Sequence, residues 1–168
     1  MLLAIATIII SGARLIDGRG GPPIENSVVV IEGDRIVSAG SRSNVRPPAG
    51  ETFDASGLTL LPGLIDAHYH RGSIKLPNMF LNNGVTSVRD PGAWNQSYDP
   101  VKKLGIPIPR LFLTGPHLDT APAAYPQNSI LVNDPEEARA VVHRFADEGA
   151  TALKVYFRLP LATIRAVC

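Results

Sequence analysis

The reading of this chain turns on LPGLIDAHYHRG, Leu61 to Gly72, an apolar run that ends in two histidines one residue apart. Side chains alternate faces along a strand, so in a strand Asp66, His68 and His70 would point the same way. Two imidazoles at i and i+2 can both reach one ion at the Zn–N distance of about 2.0–2.1 Å. A surface pair, or one satisfied core histidine beside one exposed, is the ordinary alternative. Spacing alone leaves the two open.

Upstream of this stretch the chain reads as short strands and turns. Ala6–Ile10 is β-branched, DGRGGPP (Asp17 to Pro23) is dense turn chemistry, and Val28–Glu32 and Arg35–Ala39 flank Gly33-Asp34 as a hairpin. Residues 1–60 therefore form a small β module with too few strands to bury both faces. Downstream, from residue 61 to 168, strand and helix signals alternate. GLIDAHYH reads as a buried strand, SIKLPNMFLNNG as a short helix or turn, and VTSVRD, RLFLTG and TALKVYF as strands. The clearest helix has Asp134 as N-cap, Pro135 in the first turn and Glu137 at the capping-box position, with Gly149 closing it. Ala138, Val141, Val142, Phe145 and Ala146 give it one apolar face, and His143 falls on the solvated side. Strands alternating with helices imply a parallel sheet in an α/β fold. LATIRAVC has helical composition and no stop signal, so the sequence reads as a fragment.

Sixteen basic and fifteen acidic residues give a formal net charge of +1 without long runs of one sign. No feature asks for nucleic acid or an anionic membrane; a small-molecule or peptide ligand is expected. Cys168 is the single cysteine, so neither an intrachain disulfide nor a cysteine zinc site can form within the sequence. MLLAIATIII is too short to span a bilayer. It is read as the first strand, with the first six residues as the tail of a clipped export signal in the other reading. A cytoplasmic location is expected on the first reading and export on the second.

The motifs then become specific as a set. PGLIDAHYH resembles the first-strand signature of the metal-dependent amidohydrolase superfamily, GVTSVRDPG (Gly84 to Gly92) its second-strand segment, and EGATALKVYF (Glu148 to Phe157) the strand-four segment with a metal-bridging lysine. GARLIDGRGG and VVVIEGDRIVSAG match the small β-sandwich that flanks its barrel. Among subgroups the chain most resembles the imidazolonepropionase-like and Xaa-Pro dipeptidase-like enzymes.

The resemblance implies an α/β fold: about the first four strands of a TIM-like (β/α)8 barrel in residues 61–168, preceded by part of the β-sandwich in residues 1–60. It implies hydrolysis of amide, peptide or cyclic amide bonds by a metal-activated water, with two Zn2+ ions in the full-length protein. His68 and His70 would ligate the more buried ion and Lys154, carboxylated, would bridge the two. A lysine can take that role only if it loses its charge, which burial at a barrel mouth favours; a buried stem with an exposed tip is the ordinary alternative. Asp90 would orient a ligand or substrate, or cap the turn at Pro91-Gly92. His117 would open a loop on the substrate face, but TAPAAYP replaces the subgroup's Gly-Gly-His pattern, so the substrate stays open. Trp94, Tyr98 and Tyr125 are pocket candidates. The general acid/base Asp and two further His ligands of the family would lie beyond Cys168. The full-length protein is expected to be a homo-oligomer. A one-metal enzyme with a structural Lys154, and a non-catalytic scaffold, are the competing readings.

Overall fold

The computed structural model describes residues 6–70 and 77–168. The reading of Met1–Ile5 as part of an export signal, and of residues 73–76 as the start of a helix, lies outside the described residues. Among the described residues no helix is long and apolar enough to cross a membrane. The chain divides into two compact units, Met1–Pro62 and Gly63–Cys168.

The first unit is all β. Strands β1 (Thr7–Ser11), β2 (Arg14–Leu15), β3 (Ser27–Glu32), β4 (Arg35–Ser41), β5 (Glu51–Asp54) and β6 (Thr59–Leu60) make two sheets, β4-β3-β1-β5 and β2-β6. The β3–β4 hairpin closes through Gly33-Asp34, with Glu32 opposite Arg35. Gly33 has φ +60°, which the first central position of a type II′ turn requires. Alternation along β1 and β3 sends Ile9, Val28 and Val30 to one face, where they pack with Val45. On the other face Ile10, Ile31, Ile36 and Leu60 line an apolar depression of about 520 Å³. Ile36 and Val37 are 68% and 52% exposed, so this sheet has one covered face, as the shortage of strands implied.

The second unit begins with β7 (Leu64–Asp66), α1 (Pro77–Asn82), β8 (Val85–Asp90), α2 (Asp99–Lys102) and β9 (Arg110–Leu113). Strands β7, β8 and β9 form a parallel sheet in that order, with Asp66 beside Val88 and Asp90 beside Leu113. A Cβ at residue 63 would overlap the Thr86 side chain, which is why glycine precedes β7. The expectation of a buried first strand is not met. Leu64 and Ile65 are 57% and 69% exposed, because β7 is an edge strand flanked by β8 alone and nothing among the described residues covers it.

The remaining elements are β10 (His117–Asp119), β11 (Ser129–Leu131), α3 (Pro135–Asp147) and α4 (Leu161–Val167). Helix α3 begins where expected: Asp134 accepts from the amides of Glu136 and Glu137. The Glu137 carboxylate reaches one residue further back than a capping box would, to Asn133 N at 2.8 Å. Ala138 and Phe145 are buried against Leu118, Val132 and Leu159, whereas Ala146 lies outside the buried stripe. His143 is exposed, as its helical position implied.

The strand expected at Thr151–Phe157 is reduced to a single bridge, Val155 beside Leu118. Its backbone still runs parallel to the chain after β9, through Thr151 N to Leu113 O at 2.8 Å and Leu118 N to Lys154 O at 2.8 Å. Between those bonds lie Gly115, at φ +71°, and Pro116, which has no N–H to offer a ladder. The interruption breaks the ladder but keeps the two segments side by side. His117 accordingly starts β10, paired with β11, rather than opening a loop.

Candidate metal site

The backbone turns out of β7 at Ala67-His68, so the two histidines converge through a bend and not through the pleat of a strand. Asp66 turns back to accept the His68 amide at 3.1 Å, which removes it from the imidazole face. Between the histidines, the Tyr69 amide donates to Arg89 O at 2.9 Å, and its ring stacks edge-on against Phe80 at 4.9 Å. Pinning the middle residue leaves His68 and His70 together on one side. Their Nε2 atoms stand 3.1 Å apart.

That separation fits a shared ion: two nitrogens 3.1 Å apart, each about 2.0–2.1 Å from one ion, subtend about 98°. Both rings are exposed at the end of β7. Among the described residues no group of three or more His, Cys, Asp and Glu side chains is gathered closely enough to hold an ion.

Asp90 closes β8 and is 1% exposed, with its Oδ1 3.4 Å from His70 Nδ1. Its other oxygen accepts from Tyr98 Oη at 2.7 Å. Of the three loop aromatics, Tyr98 is therefore a buried support for Asp90, while Trp94 donates to Gln127 O at 3.2 Å. Tyr125 packs edge-on against His117 with ring centroids 5.4 Å apart.

His117 is 6% exposed and its centroid lies 6.5 Å from that of His70. Neither ring nitrogen makes a well-formed hydrogen bond among the described residues. Burial pushes its imidazole below the ordinary histidine range; the Lys154 and His70 charges add to this, against the Pro91 carbonyl and Asp119. A Cβ at residue 92 would overlap the His117 ring, so Gly92 forms the floor beneath it. Lys154 is half-buried on the neighbouring segment, close enough for its charge to be felt at His117.

Sequence reasoning missed Asp119, Arg158 and Tyr156. Asp119 is fully buried and meets Arg158 Nη2 at 2.8 Å. Burial alone would raise its pKa, but the amides of Ala124 and Thr120 and the Arg158 guanidinium hold the carboxyl below the ordinary range. Tyr156 packs between His117 and Tyr125, at 5.7 and 6.0 Å. Asp119 and Arg158 are 39 residues apart, and no local pattern signals such a pair.

No family model matches the chain. It is 40% identical over 117 residues to an N-acyl-D-aspartate deacylase of Alcaligenes xylosoxydans xylosoxydans, a match covering 67% of this chain and 22% of that protein. An imidazolonepropionase of Streptomyces griseus is 36% identical over 66 residues, 39% of this chain and 17% of the relative. Among solved structures, a candidate prolidase from Bifidobacterium longum superposes with a TM-score of 0.77 at 24% identity, over 99% of this chain and 47% of the other. A Xaa-Pro dipeptidase with bound methionine gives 0.67 at 20% identity, over 96% and 53%. At these identities the structural likeness speaks for the fold alone. The resemblance read from the sequence holds: the homologues and structural neighbours of this chain are members of the amidohydrolase superfamily. Those relatives are hydrolases, and the chain spans about a fifth of the deacylase and half of the structural neighbours.

Proposed function

We propose that this chain is the N-terminal part of a metal-dependent hydrolase of carbon–nitrogen bonds, in amides, peptides or cyclic amides. In this reading residues 61–168 form the first half of a (β/α)8 barrel and residues 1–60 part of its β-sandwich. The observation that carries it is the 3.1 Å approach of His68 Nε2 to His70 Nε2 at the carboxyl end of a parallel strand. In a parallel barrel that end is where the chemistry is assembled. The apolar edge at Leu64 and Ile65 supports the same reading, since a closed barrel would cover it with a further strand.

His68 and His70 would hold one divalent ion, Zn2+ by donor type, and Lys154 as a carbamate would bridge to a second. A bound metal ion supplies Lewis acidity and a water of lowered pKa. The chain's own residues do the rest of the work visible here. Asp90 Oδ1, 3.4 Å from His70 Nδ1, would accept a hydrogen bond from Nδ1–H and so leave Nε2 as the nitrogen available to an ion. Tyr98 keeps the Asp90 carboxylate from rotating away. His117 offers a neutral imidazole on the substrate side. The acid/base Asp would come from beyond Cys168, and the full-length protein would act as a homo-oligomer on a small-molecule or peptide substrate.

The test is metal content of the full-length gene product by elemental mass spectrometry, with His68→Ala and His70→Ala beside the wild type. Two ions per chain in the wild type and their loss in both variants are expected. One ion per chain would point to a one-metal enzyme with a structural Lys154. A wild type purified and dialysed with metal that retains none would overturn the proposal.

A further inference from the structure

Beside the histidine pair, three rings meet: His117, Tyr125 and Tyr156, with mutual centroid distances of 5.4, 5.7 and 6.0 Å. His117 contributes a nine-tenths buried imidazole with no well-formed hydrogen bond on either nitrogen, in a wall that faces His70. With only the Pro91 carbonyl at hand and no well-formed bond, the buried imidazole keeps hydrogen-bonding capacity for a ligand. Tyr125, at 55% exposure, carries the wall out to solvent.

Side-chain bonds fasten the segments that carry the wall. Asp119 lies two residues after His117, and Arg158 two residues after Tyr156, so their ion pair ties together the two segments that carry the rings. Asp119 Oδ1 also accepts from Thr120 N at 2.8 Å and Oδ2 from Ala124 N at 2.8 Å. Arg158 Nη2 donates in addition to Pro122 O at 2.6 Å. The backbone is thus fastened at residues 120, 122 and 124, and Tyr125 follows directly. A solvent-facing loop whose only task was connection would gain little from a buried charge pair.

We propose that His117, Tyr125 and Tyr156 form a substrate-recognition wall, that Asp119 and Arg158 are its positioning residues, and that the wall binds an acceptor oxygen of the substrate. This rests on the hydrolase reading above. The chemistry of the wall selects the ligand. A tyrosine hydroxyl can donate as well as accept a hydrogen bond, and the wall carries two, on Tyr125 and Tyr156. The His117 ring nitrogens stand beside them. Arg158 is neutralised by Asp119, so the wall presents neutral donors. A carbonyl oxygen and a carboxylate both satisfy such donors; a substrate cation does not.

The experiment uses the full-length gene product, a panel of N-acyl amino acids, and the methyl ester of each. Tyr125→Phe and Tyr156→Phe are expected to raise KM about tenfold, the loss of one ordinary hydrogen bond, with kcat changed by less than about threefold and bound metal unchanged. Arg158→Ala should raise KM similarly, with Arg158→Lys restoring part of the loss. A KM effect confined to the free acids assigns the acceptor as a carboxylate, and an equal effect on the esters assigns it as a carbonyl; both support the wall. Wild-type KM in both tyrosine variants overturns it, as does a metal-loaded wild type that neither cleaves nor binds any member of the panel by calorimetry. The positioning role is read without turnover: amide exchange at Thr120 and Ala124 should accelerate in Arg158→Ala, and slow exchange there would overturn it. Absence of bound metal in the wild type would instead sink the hydrolase reading, which separates the two failures.

Discussion

Asp90 Oδ1 stands 3.4 Å from His70 Nδ1 while Tyr98 Oη holds the other oxygen at 2.7 Å, so a buried carboxylate is tied to a ring whose far nitrogen faces His68. Carboxylate partners of this kind fix the tautomer of a metal-binding histidine, and their loss costs about 10- to 100-fold in metal affinity. On the metal-dependent reading proposed above, Asp90→Ala is therefore expected to weaken divalent-metal binding by that factor while leaving His68 and His70 in place. Competition with a chromophoric chelator reads it. Tyr98→Phe should show a smaller loss in the same direction.

Gly92 makes a second demand on the site. Any Cβ there would overlap the His117 ring, so Gly92→Ala must displace either the ring or the segment after β8. Overpacking of this kind costs about 1–3 kcal/mol. A fall in the denaturation midpoint, together with a change in the His117 ring proton shifts by NMR, is the expected outcome.

Phe145 is fully buried, and its ring lies over Gly115, whose added Cβ would meet it. Phe145→Ala should cost about 3–5 kcal/mol, as large aromatic truncations in cores do. Thermal unfolding followed by circular dichroism measures this. The variant should lose the docking of α3 on Leu118, Val132 and Leu159, which form the cluster around that ring.

The Asp119 carboxyl has a pKa lowered from its ordinary 3.8 in the folded chain. A depressed folded-state pKa contributes stability that is present above the unfolded value, and that is lost as pH falls through the folded value. The stability difference between wild type and Asp119→Asn is thus expected to be constant above about pH 5 and to shrink below about pH 4. Urea unfolding across a pH series checks the sign. A difference that grew on acidification would contradict it.

Much of this was legible in the residues, and the rest has identifiable causes. The hairpin at Gly33-Asp34, strand Val85–Asp90 and the start of helix α3 at Asp134 follow from turn, strand and cap chemistry that acts over a few residues. The histidine pair was legible as a motif, but its geometry was not: the bend after Asp66 depends on the Asp66 carboxylate capping the His68 amide. Leu64 and Ile65 look like core residues by type, and only the order of the sheet reveals them as an edge. The shortened strand around Val155 reflects Gly115 and Pro116 on the neighbouring segment, a cause that lies 40 residues from its effect. Asp119 and Arg158 meet only through the fold.

Strand β8 carries both the carbonyl of Arg89, which anchors Tyr69, and the carboxylate of Asp90, which faces His70. The two histidines thus take their placement from a neighbouring strand that acts as their template. A sideways slip of β8 by one residue would replace the carboxylate opposite His70 with the wrong face of the sheet and move the Tyr69 anchor at the same time. On the metal-dependent reading proposed above, variation in metal affinity should therefore map to Val85–Asp90 as readily as to the histidines, and an engineer seeking to tune the site would start one strand away from it.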